Sequence, residues 1–452
     1  NKYLLSASVR YDGSSKFAPG NKWGAFPAVS GGWIMSEEKF MNGKIDWLSR
    51  LKLRVSYGLT GNNKINDYGF VDLLYGGNYS FGSGNGNVNS GLNTNPNLIA
   101  NTQITWERTK QVNYGLDVAA FKNRVNLAVD VYSSTTEALL LQQPSMAFTG
   151  GLFFNNNIGR IQNNGVEVEL SSINITTKRF KWTTALNFSR NKNNIIELGK
   201  ELLILNQGER TELYLNQPGN SLIQFFGYKT DGVWLSQQEI IDAQAKGLTT
   251  TLGSTVFVPG GLKLVDVNGD NVIDANDRTV IGNPYPKFTW GITNSFNYQS
   301  FDLSFTFQGV QGGNLINGDR NYNESRRYIK EYTENRWISP ANPGDGKTPY
   351  STIGYNWMLT DYAVEDASYV ALREVLLGYT VNSKLAKKVG LSGLRVYASA
   401  QNLLFFFPSG YKGLNPEARS ASSFYASPLI DGYQRGGFPT SRSFLFGIDI
   451  NF

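Results

Sequence analysis

Between residues 266 and 277 the chain reads Asp-Val-Asn-Gly-Asp-Asn-Val-Ile-Asp-Ala-Asn-Asp. Oxygen-bearing side chains recur at alternate positions, which lets a turning backbone aim several donors at one centre. Ca²⁺ takes roughly six to eight oxygens, and a twelve-residue loop supplies them from positions 1, 3, 5, 7 and 12. Here those positions are Asp266, Asn268, Asp270, Val272 (through its carbonyl) and Asp277. Mg²⁺ is the weaker alternative, because it demands a tighter octahedron. There are departures from the pattern. Position 6 is Asn271 rather than Gly, although Asn enters the left-handed region more readily than most residues. Position 12 is Asp rather than the longer Glu, and no helices flank the loop. An Asx-rich turn holding no ion is the competing reading of the same residues. A bound ion would be structural, tying down carboxylates that otherwise repel.

Other chemistry is thinly supported. Asp361, Glu365 and Asp366 form an acidic cluster. Paired carboxylates at the right separation hydrolyse glycosides, but spacing along a loop does not fix separation in space, and a solvated acidic loop is the favoured reading. Phe405, Phe406, Phe407 and Trp357 could stack on sugars, or pack loop against loop. The chain has no His and no Cys, which removes Ser-His-Asp and Cys-His catalysis, the usual zinc sites, and disulfides. We therefore expect no enzyme. The Gly/Asn-rich stretch near 61–103 lacks the spacing of a phosphate-cradling loop. The net charge of +6 is dispersed without a Lys/Arg block, so no nucleic-acid partner is expected.

The elements that must carry these residues are strands. In the terminal stretch, Phe444, Phe446, Ile448, Ile450 and Phe452 share one parity, and Leu445, Gly447, Asp449 and Asn451 the other. That is a period of two, with one apolar face. Aromatics reach 13% of the chain, yet mean hydropathy is −0.31. The longest plain apolar run, Leu403–Phe407, falls far short of the roughly 18 residues a membrane helix needs. A membrane β-barrel reconciles these numbers, because alternate polar residues hide the lipid face from any average. Arg50, Lys52, Arg54 and Ser56, opposite in parity to Leu51, Leu53, Val55 and Tyr57, cannot face lipid and must line the lumen.

Alternation predicts strands over 2–12, 22–35, 50–60, 104–120, 124–136, 164–172, 181–193, 285–298, 301–311, 367–380, 393–402 and the C-terminal stretch. Connections after the third, fifth, seventh, ninth and eleventh are long, near 61–103, 137–163, 194–284, 312–366 and 403–440. Those after the even strands are short or modest. Outer-membrane barrels have this asymmetry, with short periplasmic turns and long extracellular loops. The reading is an all-β transmembrane antiparallel barrel of about 12 strands, multi-pass in the outer membrane of a Gram-negative bacterium. Odd-numbered strands run outward, and Phe444, Phe446, Ile448 and Ile450 face lipid. No signal peptide precedes the first strand. The mature chain starts there, or this is the later part of something longer.

Several motifs carry a resemblance. They include Thr105-Trp106-Glu107-Arg108-Thr109 with Asn113-Tyr114-Gly115-Leu116-Asp117, and Asn157-Ile158-Gly159 with Asn164-Gly165-Val166-Glu167. The hairpin Tyr298-Gln299-Ser300-Phe301-Asp302-Leu303 is another, as are Ala367–Arg373 and Leu377-Gly378-Tyr379. Gln401-Asn402-Leu403 then precedes Tyr411-Lys412-Gly413-Leu414-Asn415-Pro416-Glu417. In order and spacing the chain resembles the SusC/RagA-like TonB-linked outer-membrane proteins over essentially its whole length. The resemblance implies that these strands are the last twelve of a barrel of roughly 22, with the plug domain and TonB box upstream and outside this chain. It also implies import of a large nutrient, a glycan or a peptide, energised through TonB, with a SusD-like surface lipoprotein as lid. A non-transporting assembly or scaffold barrel and a surface hydrolase on a barrel remain the alternatives, since a fold does not dictate a function. The substrate is not readable from the loops.

Overall fold

A computed structural model of the chain describes residues 2–41, 43–65, 67–81, 87–94, 98–144, 153–199, 203–206, 213–323, 330–350, 358–388, 390–418, 429–435 and 437–452. The predicted alternation becomes twelve long strands: β1 (Tyr3–Gly13), β2 (Trp23–Ile34), β3 (Leu48–Asn62), β4 (Glu107–Ala120), β5 (Val125–Glu137), β6 (Arg160–Thr176), β7 (Phe180–Glu197), β8 (Phe288–Tyr298), β9 (Phe301–Gln311), β10 (Tyr369–Thr380), β11 (Gly393–Phe406) and β12 (Ser443–Asn451). They hydrogen-bond in chain order in one twelve-stranded sheet, β1 to β12. Nearest-neighbour antiparallel order is the up-and-down arrangement of a membrane barrel wall.

The chain divides into two compact units. One comprises residues 1–166, 192–201 and 217–220; the other comprises 167–191, 202–216 and 221–452. In the first unit, Tyr3, Trp33, Leu53, Leu116 and Val129 form one cross-strand row on a single face, and Leu5, Gly31, Val55, Tyr114 and Val131 form the next. These side chains are largely solvent-exposed, Leu5 at 84% and Tyr3 at 69%. Apolar residues outward over a whole sheet face would be ruinous in water, and they are what a lipid-facing wall requires. The opposite face carries charge. Arg54 lies across Gly115 of the neighbouring strand, donating to Asp117 (2.8 Å) and to Asp130 one strand further on (2.8 Å). A Cβ at position 115 would overlap the guanidinium.

The second unit repeats both devices. Its outward rows include Trp182, Phe296, Leu303, Leu377, Ala398 and Phe446. On the other face Arg395 spans Gly378 to reach Asp302 (2.7 Å), and also pairs with Asp449 (3.1 Å). A polar cluster interrupts the outward face. Asn294 Oδ1 accepts from Trp182 Nε1 (3.0 Å) and Thr184 Oγ1 (2.7 Å). Asn174 Nδ2 donates to Thr184 Oγ1 (2.7 Å), and Ser172 Oγ donates to Asn174 Oδ1 (2.8 Å). The four polar side chains satisfy one another, which is how such groups are tolerated facing hydrocarbon.

The short connections are tight. Phe121, Lys122 and Asn123 are all left-handed, with φ of 53, 56 and 64°, and Gln299 turns β8 into β9 at φ 53°. Aromatics cluster at these ends. Trp47 meets Phe121 at 6.0 Å, Trp33 meets Phe40 at 6.5 Å, and Phe301 meets Tyr379 at 4.8 Å. Glu38, in the β2–β3 connection, accepts from the Tyr3 hydroxyl (2.6 Å), Lys2 (3.2 Å) and the Trp33 indole (3.3 Å). Those bonds, that of Tyr3 foremost, hold its carboxyl below the usual range.

Strand ends differ from the sequence expectation. β6 and β7 run longer than 164–172 and 181–193. Beyond the apolar belt no face needs to be hydrophobic, so pairing continues after the alternation fades. The long intervals are also more ordered than irregular loops. Leu74–Phe81 pairs with Asn87–Thr94 inside 61–103. Phe153–Asn157 pairs with Leu140–Pro144 and with Leu98–Ile99. The interval 194–284 holds a helix, Gln237–Ala245, whose N-cap Ser236 accepts from Glu239 N at 3.2 Å.

Among the described residues β12 pairs with β11, and Ile448 on it is 64% exposed opposite Val396. In the complete protein in lipid, Ile448→Arg should cost about 2–4 kcal/mol of barrel stability. Asp449→Asn removes only a half-exposed ion pair and should cost less than about 1 kcal/mol. Denaturant titration in lipid vesicles measures both, and equal losses would contradict the facing assignment.

Candidate functional site: an acidic loop and a polar cavity

The loop 266–277 is closed by its own peptide N–H groups. Asp266 Oδ1 accepts from Gly269 N and Oδ2 from Asn271 N, both at 2.7 Å. Asn268 Oδ1 accepts from Asp270 N (3.0 Å), and Asp270 Oδ1 from Val272 N (2.8 Å). These successive Asx turns require a left-handed residue, and Asn271 supplies it at φ 62° beside Gly269 at 77°. Asp277 is fully buried, with Oδ1 accepting from Val267 N and Oδ2 from Asp274 N, each at 2.8 Å. Asp274 caps the short turn Ala275–Asp277 by accepting from Asn276 N at 2.7 Å.

The five expected ligand residues therefore lie on one continuous turn, with Asp277 as its buried anchor. Their donor types suit a hard cation, and each carboxylate oxygen that accepts one N–H keeps a second lone pair. Among the described residues no three acidic side chains are gathered closely enough to form a metal cluster. The Asn268 amide instead donates to Asp270 Oδ2 at 3.0 Å.

The second site is a cavity of about 1070 Å³ in the second unit. Arg320, Lys347, Asp361, Tyr362, Glu365 and Tyr411 contribute to its lining. A small sheet carries Glu365 and adjoins Arg320, Asp361 and Tyr362 along the chain: Asn314–Asn317 pairs antiparallel with Val364–Asp366 and parallel with Tyr433–Gln434. Beneath lies an apolar cluster including Tyr214, Phe225, Ile316 and Leu359.

The carboxylates of the acidic cluster are each engaged by separate partners. Glu365 is only 4% exposed; its Oε1 accepts from Asn317 Nδ2 (3.0 Å), and its Oε2 from Lys412 N (3.0 Å) and Gly413 N (3.2 Å). Arg320 stands 3.6 Å from Glu365 and 3.9 Å above the Tyr362 ring. Asp361 Oδ1 accepts from the Thr230 amide and hydroxyl at 3.0 and 2.6 Å. Asp366 Oδ1 accepts from Ser368 N and Oγ at 2.9 and 2.5 Å. Burial pushes the Tyr411 hydroxyl well above its ordinary value, so it stays protonated and donates to Gln434 Oε1 at 3.2 Å. Burial raises Asp345 as well, but N–H donors from Thr348 and Lys347, the Thr348 hydroxyl and the charge of Arg320 together hold its carboxyl below the usual range.

Of the candidate sugar-stacking aromatics, Phe407 lines the cavity, 5.8 Å from Phe405 and 5.0 Å from Tyr411. Trp357 lies outside the described residues. Sequence spacing missed Arg320 and Lys347, which belong to stretches without alternation.

Removing the buried acceptor of the loop should be felt most. Asp277→Ala leaves two amide donors unpaired, at about 1–3 kcal/mol, and should expose 260–280 to protease in the complete protein. Asp270→Ala, at the exposed rim, should not.

The chain matches the TonB dependent receptor-like beta-barrel family over residues 1–403. It is 33% identical to TonB-dependent receptor P39 of Formosa agariphila, covering 100% of this chain and 45% of that protein. It is 28% identical to TonB-dependent receptor SusC of Bacteroides thetaiotaomicron, covering 100% and 42% respectively. Among solved structures, the RagAB peptide importer in its closed-closed state superposes with a TM-score of 0.78 at 24% identity, covering 100% of this chain and 46% of that one. The chain thus spans less than half the length of these relatives. Lipid-facing rows, a charged opposite face, strands in chain order and these matches converge: the chain is similar to SusC and RagAB, and belongs to the TonB-dependent receptor β-barrel family of the Gram-negative outer membrane.

Proposed function

We propose that the complete protein imports a large nutrient of the glycan or peptide class across the outer membrane, energised through TonB, with a SusD-like lipoprotein seated on its surface loops. The observation that carries this reading is membership of a receptor family together with a large polar cavity built from the long intervals between strands. The outer membrane offers no ATP to drive uptake, and a barrel of roughly 22 strands needs a plug to avoid leaking. Coupling to the inner membrane through an upstream plug and TonB box answers both constraints. The long intervals 61–103, 137–163, 194–284, 312–366 and 403–440 then face the cell exterior, and the turn at Gln299 the periplasm.

Uptake of labelled oligosaccharides and oligopeptides by cells carrying the complete protein, with TonB deleted in parallel, tests the proposal. Loss of uptake without TonB is expected. Function unchanged by that deletion would replace the importer with an assembly or scaffold component on the same barrel. In the same cells a tag near Asp345 should be reachable from outside and one at Gln299 should not; the reverse would invert the orientation.

The reading extends to the acidic loop, which would hold one structural Ca²⁺, with Mg²⁺ as the weaker occupant, through Asp266, Asn268, Asp270, the Val272 carbonyl and Asp277. The five residues share one turn, and their oxygens keep lone pairs free. Terbium luminescence and calorimetry on the complete protein should show one site whose affinity falls by at least about tenfold in Asp270→Ala. No binding at millimolar Ca²⁺ would leave the loop as a self-bonded Asx turn.

A further inference from the structure

β10 carries one residue too many for β9, and at the same place β11 carries one too many for β10. Thr306 of β9 pairs with Glu374 while Phe307 pairs with Leu372, and on the other side Leu372 pairs with Leu404 while Glu374 pairs with Gln401. Arg373 is skipped in both ladders, and Asn402, across from it, takes φ 53°. A bulge of this kind bends the strand and re-aims a side chain.

The re-aimed guanidinium is fully engaged. Nε donates to Gln308 Oε1 (2.6 Å), Nη1 to Asn402 Oδ1 (3.0 Å), and Nη2 to the Tyr369 hydroxyl (3.3 Å) and to Glu417. The Tyr369 hydroxyl itself donates to Glu417 Oε1 at 2.6 Å. Phe405 lies beneath, its ring centroid 5.2 Å from the guanidinium carbon. Three separate stretches, 367–373, 401–403 and 411–417, thus meet at one cation.

Glu417 belongs to the segment 408–418, whose residues 409–413 form one wall of the cavity. That wall has a second tie, because the buried Glu365 accepts from Lys412 N and Gly413 N. Glu365 stands on the small sheet, whereas Arg373 stands on the barrel strand. The segment is therefore fixed at two points to two different supports. A planar fork of five donors meets Gln308, Asn402 and Glu417 at once, and a lysine ammonium cannot reproduce that geometry.

We infer that Arg373 is a positioning residue. By holding Glu417 it pins the 408–418 wall, so this side of the cavity is pre-formed and ligand binding does not bear the cost of ordering it. The inference stands independently of whether the complete protein transports.

Hydrogen–deuterium exchange on the complete protein in nanodiscs tests it, with peptides from β12 as internal reference. Glu417→Gln keeps the size and removes the charge. Losing a charge-assisted bond should speed exchange across 409–418 by at least about tenfold, while β12 exchanges as before. Arg373→Lys keeps the charge and should give the same local acceleration. Unchanged exchange across 409–418 in both variants overturns the inference. So does an acceleration that reaches β12 equally, which would make Arg373 a support of the barrel at large.

Discussion

Inside hydrocarbon no water reaches an unpaired peptide group, so every N–H and C=O of a spanning strand must find a neighbouring strand. That constraint orders everything else in this chain. It explains why the long strands pair in chain order and why β2–β3 and β8–β9 are joined by compact connections. It also explains why departures from regular pairing are few and local. The bulge at Arg373 is such a departure, and the side chain it re-aims is held by Gln308, Asn402 and Glu417. Outside the apolar belt the constraint relaxes, and there the chain builds small separate sheets, a capped helix and an Asx-turn loop.

Charge on the inward face follows a second rule. Arginine is placed where the adjacent strand offers glycine, so the side chain can lie flat and reach an acid beyond it. Arg54 over Gly115 and Arg395 over Gly378 use the same solution in different units of the chain. The glycines are therefore not tolerated weaknesses in the strands; they are the clearances that let long side chains cross the wall. Aromatic rings use the same clearances, as Tyr132 does over Gly165 and Tyr397 over Gly447.

Much of this was legible in the sequence, and what was not has physical reasons. Strand positions were readable because a lipid face forces strict alternation, as in Leu51 to Tyr57 against Arg50 to Ser56. Strand ends were not, because the added residues of β6 and β7, such as 160–163 and 194–197, mix polar and apolar side chains without alternation. The short pairings inside 61–103 and 137–163 were hidden because strands of two to eight residues rich in Asn and Gly carry no periodic signal. In the acidic loop, alternate Asx residues correctly marked one turn, and Asn271 takes the left-handed geometry expected of it. Asp361, Glu365 and Asp366 illustrate the limit: adjacent in sequence, they bond to Thr230, to Lys412 and Gly413, and to Ser368, partners that spacing alone does not disclose. The Arg373 network was present only as three motifs without a stated connection.

The Ser172–Asn174–Thr184–Asn294 chain on the outward face has a consequence for the membrane rather than for the protein. Along β7 and β8 it replaces apolar surface with bonded polar groups, one row inward of Trp182 and Phe296. Apolar side chains continue on both sides of it, with Leu186 opposite Ile292 and Phe188 opposite Trp290, whereas on β12 Phe444 to Ile450 run uninterrupted. An acyl chain against β7 and β8 therefore meets a polar spot whose hydrogen bonds are already made within the wall, so it gives water little reason to enter the hydrocarbon there.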